Sequence, residues 1–388
     1  MKGLLKVCAA VVVVAAAVGF WSADLHASGG GHHPAVVTNN DLKGANSISF
    51  FKFTGTTLQD QGSGSTGGNG TGGGYPGLNK IVLGVSGPDV CGFVSDAGSG
   101  DIGVFKVVKK KITKVGNYKD PHGSGKSHGI GLAVTKNFVF ATYTTTKNIG
   151  VFQILSGCKL KLAGTYKAAD AVAGLRAAPD FKTLVVGYGS GVNKVDSFSI
   201  AANGKLTEHG PYASTAGASG VDITADSAFA IFGDTTTGKA QVEIFPINSD
   251  GSLGKDNNFG GDGTLGDGVG SSNVWLSVDE KFLFVSNNSS KQVTSLAFTE
   301  SPSLSYINIT TLNDPSNDII STGGIATVLA TGNGSYVVVA EDGSPDSFVG
   351  LLQINGDGST TEISGSPYEV TGGGPGLQSL MVGPPRPF

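Results

Sequence analysis

The sequence predicts an all-β protein that forms a single seven-bladed β-propeller of four-stranded antiparallel blades. A strand, a short polar turn and a second strand recur seven times, and successive copies end about 46 to 56 residues apart, the period of propeller blades. Glycine accounts for 62 of 388 residues, as expected of a chain with many tight turns, and no Gly-X-Y period indicates collagen. Repetition and turn content therefore predict the fold class.

The second strand of every copy is apolar and ends in the same way. Its last residue and the residue two positions earlier are both aromatic or aliphatic. They lie at 35–53, 93–107, 138–154, 183–200, 229–247, 282–298 and 336–354. Asn-Gly and Asp-Gly pairs at 203–204, 250–251 and 357–358 are strong signals for hairpin turns, and each lies just after the second strand of a copy. Each copy is interpreted as the second and third strands of one blade.

The two ends of the chain are predicted to complete one blade together. The first copy has no strand before it, and the last strand-like segment, 377–382, has no hairpin after it. Pairing them would remove the free edges of an open ring. The predicted propeller spans 35–383, with a flexible segment at 28–34, a Gly-rich loop insertion at 59–77 and a tail at 384–388.

Residues 1–27 have the pattern of a secretory signal peptide. Lys2 and Lys6 precede an apolar run over 7–20, and Ala27 supplies a small residue for cleavage. The run is shorter than the roughly 20 residues of a membrane span. We expect an exported protein, periplasmic or extracellular, with no membrane span after cleavage.

Charge and cysteine content narrow the function classes. The net charge is −4 and no basic stripe is present beyond the run Lys109 to Lys111, so nucleic acid is not expected as a partner. An oxidising compartment would permit a disulfide between Cys91 and Cys158, but the sequence leaves free thiols as the alternative. The absence of Cys-x-x-Cys excludes a thioredoxin-type site.

The turns and strand ends resemble the lactonase-type seven-bladed propellers, the superfamily of bacterial 6-phosphogluconolactonase and the tyrosine-valine-threonine-asparagine (YVTN) repeat proteins. The similarity rests on the Pro-Asp turn at 179–180, the Val-Phe pairs at 104–105 and 151–152, and the Asp-Gly-Ser-Leu turn at 250–253. It covers nearly the whole chain after the signal segment. It implies a propeller with a pocket at the loop face around the central axis.

The resemblance also implies candidate catalytic residues in the loop that leads into blade three. A Pro-His-x-His-like segment of the family is partly matched by His122 and His128, either of which would serve as a general base, with Lys126 binding an anion. A second family motif, Gly-Pro-Arg-His, has no counterpart at 268–273.

Ligand-binding candidates are the polar residues at the loop face, where a propeller opens its central funnel. They stand in the loop into blade three or at the ends of second strands, and they are Asp120, Asp96, Tyr143, Tyr188, Asp234, Asn287 and Glu341.

Two function classes remain open from the sequence. The first is a binding scaffold whose loop face holds a protein, a glycan or a small-molecule ligand. The second is a lactone hydrolase that acts on a sugar lactone. We predict no cofactor and no metal; the 256–267 segment has a faint likeness to a calcium loop but lacks its glutamate and spacing.

Overall fold

The computed structural model describes residues 35–72, 80–108, 111–123, 129–189, 191–214, 220–233, 241–264, 271–287, 291–299, 302–313, 321–330, 334–342, 346–373 and 379–383. These residues form strands and one short 3-10 helix, Ser156–Cys158. In the described ranges no helix has the length and apolarity needed to cross a membrane. The predicted signal peptide, the 28–34 segment and the tail lie outside them.

The strands form seven antiparallel blades in a ring, which confirms the predicted seven-bladed propeller. Numbered in chain order, the strands of blades one to four are β1 (Ala35–Asn39), β2 (Gly44–Phe53) and β3 (Leu58–Gly70); β4 (Ile81–Ser86), β5 (Asp89–Asp96), β6 (Asp101–Val108) and β7 (Lys111–Tyr118); β8 (Leu132–Val134), β9 (Phe138–Tyr143), β10 (Asn148–Ile154) and β11 (Leu160–Lys167); and β12 (Gly174–Ala177), β13 (Thr183–Gly187), β14 (Lys194–Ile200), β15 (Leu206–Glu208) and β16 (Tyr212–Ala213).

Blades five to seven follow the same order, from the inner strand outward. Their strands are β17 (Gly220–Ile223), β18 (Phe229–Gly233), β19 (Gln241–Pro246) and β20 (Asn257–Gly260); β21 (Ser271–Leu276), β22 (Phe282–Asn287), β23 (Gln292–Thr299) and β24 (Ser303–Thr311); and β25 (Ser321–Ala330), β26 (Gly334–Asp342), β27 (Phe348–Ile354), β28 (Thr360–Glu362) and β29 (Tyr368–Glu369). The last strand, β30 (Ser379–Gly383), returns to blade one.

Blade one closes the ring with strands from both ends of the chain. Its order is β30-β1-β2-β3, and β1 pairs antiparallel with β30 from Ala35 opposite Gly383 to Asn39 opposite Ser379. The inner strand of this blade therefore comes from the C-terminal part and the other three come from the N-terminal part, as predicted.

The Gly-rich segment 59–77 is not a loop over its first part, and that prediction was wrong. Residues Leu58–Gly70 form β3, the outer strand of blade one, and pair with β2 from Phe53 opposite Leu58 to Gly44 opposite Gly70. A strand ladder needs only backbone donors and acceptors, so a segment poor in side chains can join a sheet. Residues 73–77 lie outside the described ranges.

Apolar clusters lie between neighbouring blades. Val37 and Ile48 of blade one pack with Ile81 and Val94 of blade two, for example, and all four are at most 4% exposed. Each blade buries its faces against its two neighbours, and the interface between two neighbouring blades is called a seam. The core is a closed series of such seams.

Cys91 and Cys158 are joined by a disulfide across the seam between blades two and three. Cys91 lies on β5, Cys158 ends the 3-10 helix between β10 and β11, and their Cα atoms are 5.5 Å apart. Both residues are fully buried.

Removal of this disulfide is expected to lower stability. The bond closes a chain separation of 67 residues, and loss of such a constraint costs roughly 2–4 kcal/mol. A Cys91→Ala/Cys158→Ala double variant should shift the urea midpoint down relative to the oxidised protein, and a reductant should not shift the variant further. An unchanged midpoint in the variant would contradict a stabilising bond.

Candidate functional site

Asp120 fixes the loop that leads into blade three. Its carboxylate is fully buried; Oδ1 accepts the backbone N–H of His122 at 2.8 Å, and Oδ2 accepts the Thr165 hydroxyl at 2.7 Å. A Cβ atom at Gly150 of β10 would come within 2.9 Å of the same Oδ2. The carboxylate therefore ties the loop to the third and fourth strands of its blade.

The same arrangement recurs in two other blades. The carboxylate of Asp96 lies against Gly103 of β6, and that of Glu341 lies against Gly350 of β27. Both acids are fully buried. Only glycine leaves room for a carboxylate oxygen at these third-strand positions. The glycine that recurs before the Val-Phe or Leu-Leu pair therefore allows a buried acid to pack against the third strand.

Asp96 is held by three hydrogen bonds from both sides of the seam between blades one and two. Oδ1 accepts from Thr66 Oγ1 at 2.6 Å and from Asn46 Nδ2 at 2.9 Å, and Oδ2 accepts from Asn117 Nδ2 at 3.1 Å. Burial raises the pKa of Asp96 to about 7, although the bonds from Thr66 and Asn46 oppose the rise. This predicted ligand-binding residue thus holds two blades together.

The two tyrosines predicted at the loop face are also buried. Burial raises the pKa of Tyr143, and the nearby charge of Asp120 adds to the rise. The Tyr188 hydroxyl donates to Asp196 Oδ2 at 2.8 Å, and burial raises the pKa of Tyr188 as well. Burial, reinforced by the neighbouring Glu208, raises the pKa of Asp196 to about 7.

Asn287 and Glu341 complete the predicted binding set within the described residues. Asn287 is fully buried and its Nδ2 donates to Thr294 Oγ1 at 2.8 Å. Asp234 lies outside the described residues. The described candidates at the ends of second strands are therefore packed inside the seams rather than at the open mouth.

His122 does not point into the centre of the ring. Its side chain is exposed and lines a shallow cavity of about 500 Å³ with Asn148 and β11, the outer strand of blade three. Asn148 Nδ2 donates to the backbone oxygen of His122 at 2.9 Å. Lys126 and His128 lie outside the described residues, so their convergence with His122 stays a prediction.

A buried ion pair beside the loop face was missed by sequence reasoning. Lys80 Nζ lies 3.0 Å from Asp41 Oδ2, and both side chains are 1% exposed. Asp41 also accepts from the backbone N–H and hydroxyl of Thr71, and its own N–H donates to Asn39 Oδ1. The polar run Asn39-Asn40-Asp41 directly after a strand was the available signal.

A second missed cluster lies on the inner strands of blades four, five and six. Arg176 Nη2 is 3.1 Å from Asp222 Oδ1, and the Arg176 guanidinium carbon stands 4.3 Å from the centre of the Trp275 ring. Asp222 Oδ2 accepts the backbone N–H of Leu276 at 2.8 Å. Arg176, Asp222 and Trp275 each lie two residues before the turn from the first to the second strand of their blade. This shared position becomes visible in the sequence only when the blades are aligned with one another.

Arg176 and Asp222 are the charged residues on the seven described inner strands. Because they pair with each other, the described wall of the channel offers no separate acid or base. Arg176 is 19% exposed and Asp222 is fully buried.

The structure gives no support to a metal site within its described residues. No group of three or more His, Cys, Asp or Glu side chains there is arranged to hold an ion. In the calcium-like segment, Asp256 accepts from Asn258 and Asp262 accepts from Thr264, while Asn257–Gly260 forms β20. Asp267 lies outside the described ranges.

The buried acids predict a pH dependence of stability. A carboxyl whose pKa rises from an ordinary 3.8 to about 7 on folding stabilises the protein more as pH falls through 7 towards 3.8. Between pH 8 and pH 5, Asp96 should contribute on the order of 2 kcal/mol in this direction.

An Asp96→Asn variant should therefore lose part of the rise in melting temperature that the native protein shows from pH 8 to pH 5. Asp357→Asn is the control, because hydrogen bonds from Ser359 hold the pKa of Asp357 low and keep it ionised throughout this window. Equal pH slopes for the native protein and the Asp96→Asn variant would refute the shifted pKa.

Comparison with known proteins identifies the architecture. No protein-family model matches the chain, and no curated protein matches it by sequence. Among solved structures it is similar to a protein from Lactobacillus plantarum at 16% identity and a TM-score of 0.68, covering 90% of this chain and 99% of that one.

Two further solved structures carry lactonase names. A candidate 6-phosphogluconolactonase from Bacteroides uniformis matches at 15% identity and a TM-score of 0.68, over 90% of this chain and 99% of that one. The periplasmic gluconolactonase of Pseudomonas aeruginosa matches at 15% identity and a TM-score of 0.67, over 90% and 98%. At this identity the likeness shows the fold alone, and the chain shares its seven-bladed propeller fold with these structures.

Proposed function

We propose that this protein is an exported, non-catalytic propeller whose loop face around the central channel binds a partner. The observation that carries the proposal is that four buried acids use their carboxylates in bonds within the protein. Asp96, Asp120 and Asp196 are buried and hydrogen-bonded, and Asp222 pairs with Arg176. A general acid or base needs reach to a substrate, which these positions do not give.

Export is part of the proposal. The signal-like segment at 1–27 supports it, and so does the disulfide between Cys91 and Cys158, because such bonds persist in oxidising compartments. The partner is a protein, a glycan or a small molecule.

A lactone hydrolase is the second candidate. It is favoured by the names of the structural neighbours, among them a periplasmic gluconolactonase. In this alternative His122, with Lys126 and His128, would activate water at the loop into blade three.

Lactone turnover separates the two candidates. The purified protein should not hydrolyse glucono-1,5-lactone or 6-phosphoglucono-1,5-lactone above the spontaneous rate, because no acid–base pair is assembled in the described channel wall. Turnover that a His122→Ala variant abolishes would replace the binding proposal with the hydrolase.

Photo-crosslinking locates the binding face. A benzophenone amino acid at Thr145, exposed in the loop-face turn of blade three, should give a discrete adduct in the producing cells. The same probe at Lys136, exposed at the opposite end of β9, is the matched control and should give none. An adduct from Lys136 alone, or from neither position, would contradict binding at the loop face.

A further inference from the structure

A cleft of about 310 Å³ lies between the outer parts of blades one and two, away from the central channel. One wall is formed by β2 and β3, and the other by β5, β6 and β7. The volume is at the lower end of the range for small-molecule sites.

The cleft exists because β3 has no apolar side chain after Leu58. Gly64 stands opposite Ile48 in the sheet, and neighbours in register share one face, so a side chain at Gly64 would project into the cleft. A Cβ atom at Gly64 would meet nothing within 4 Å, and the same is true at Gly62. The glycines therefore place no side chain over this part of the seam, where Ile48 is 2% and Phe50 is 8% exposed.

The floor of the cleft is apolar and aromatic. Phe50 and Phe105 meet edge to face, with ring centroids 5.9 Å apart and an interplanar angle of 89°. Ile48 and Ile112 line the same space. Such a floor suits a flat aromatic or branched aliphatic group.

Among the described residues that line the cleft, one is a cation, Lys114. The Lys114 side chain lines the cleft, is exposed, and places its ammonium directly over Gly67. It forms no ion pair within the part of the chain that the structure describes. The other wall residues at the rim, Gln61, Ser63 and Ser65, are neutral.

We infer that this cleft binds a small carboxylate with an aromatic or branched aliphatic body. The apolar body would lie on the Phe50–Phe105 pair, and the carboxylate would pair with the Lys114 ammonium. A charge-assisted bond at the edge of an apolar site fixes the orientation of the ligand. The site is distinct from the loop face and does not depend on the function proposed above.

Two ligands with the same aromatic body, one charged and one neutral, test this site. Binding of 2-naphthoate and of the neutral 2-naphthalenemethanol to the purified protein is measured by calorimetry or ligand-observed NMR. We expect 2-naphthoate to bind about tenfold more tightly, the size of one charge-assisted hydrogen bond. A Lys114→Met variant should remove that preference and leave the affinity for the alcohol unchanged.

A Gly64→Leu variant should fill the cleft and weaken both probes by about tenfold or more, since the leucine would occupy their volume. Gly356→Leu is the matched control, because a Cβ atom at Gly356, on blade seven, also meets nothing within 4 Å. It should bind both probes as the native protein does.

Three results would overturn the inference: no binding of either probe, equal affinity for acid and alcohol, or native affinity in a Gly64→Leu protein with native circular dichroism. If Gly64→Leu fails to fold, Lys114→Met still decides, because its side chain is exposed and a loss of charge preference cannot arise from packing.

Discussion

The pairing of β1 with β30 is the interaction on which the rest of the structure depends. Each blade buries its apolar faces only against its neighbours, so an open ring would leave two faces and a sheet edge in water. Five residue pairs, from Ala35 with Gly383 to Asn39 with Ser379, close the ring. The inner strand of blade one is thus supplied by the far end of the chain, and both seams of that blade require it.

Polar residues at the loop face also connect neighbouring blades, at the edge of the apolar core. Asp96 receives bonds from Asn46 and Thr66 of blade one, and the Lys80–Asp41 pair crosses the same seam. Removing one partner of such a buried pair is strongly destabilising, since it leaves the other charge without compensation. These acids hold blades and loops in place.

The hairpin repeat made the fold predictable, because the alternation of apolar strands with Asn-Gly and Asp-Gly turns reports local structure directly. The strand at Leu58–Gly70 was not predictable in the same way, because its pairing rests on backbone groups that composition does not reveal. Asp96 and Tyr143 end second strands, as the repeat predicted, yet both side chains are buried. Whether a polar residue at a strand end faces solvent or a neighbouring blade depends on distant chain segments, such as Thr66 and Asn117 around Asp96.

Ring closure is the central claim, and deletion of residues 377–388 tests it most directly. The deletion removes β30, so the melting temperature should fall sharply and amide exchange should become fast in β1 and in both adjoining seams. Deletion of 384–388 alone, which leaves β30 in place, should change neither quantity. A protein that lacks 377–388 and melts at the native temperature would contradict closure by the two ends of the chain.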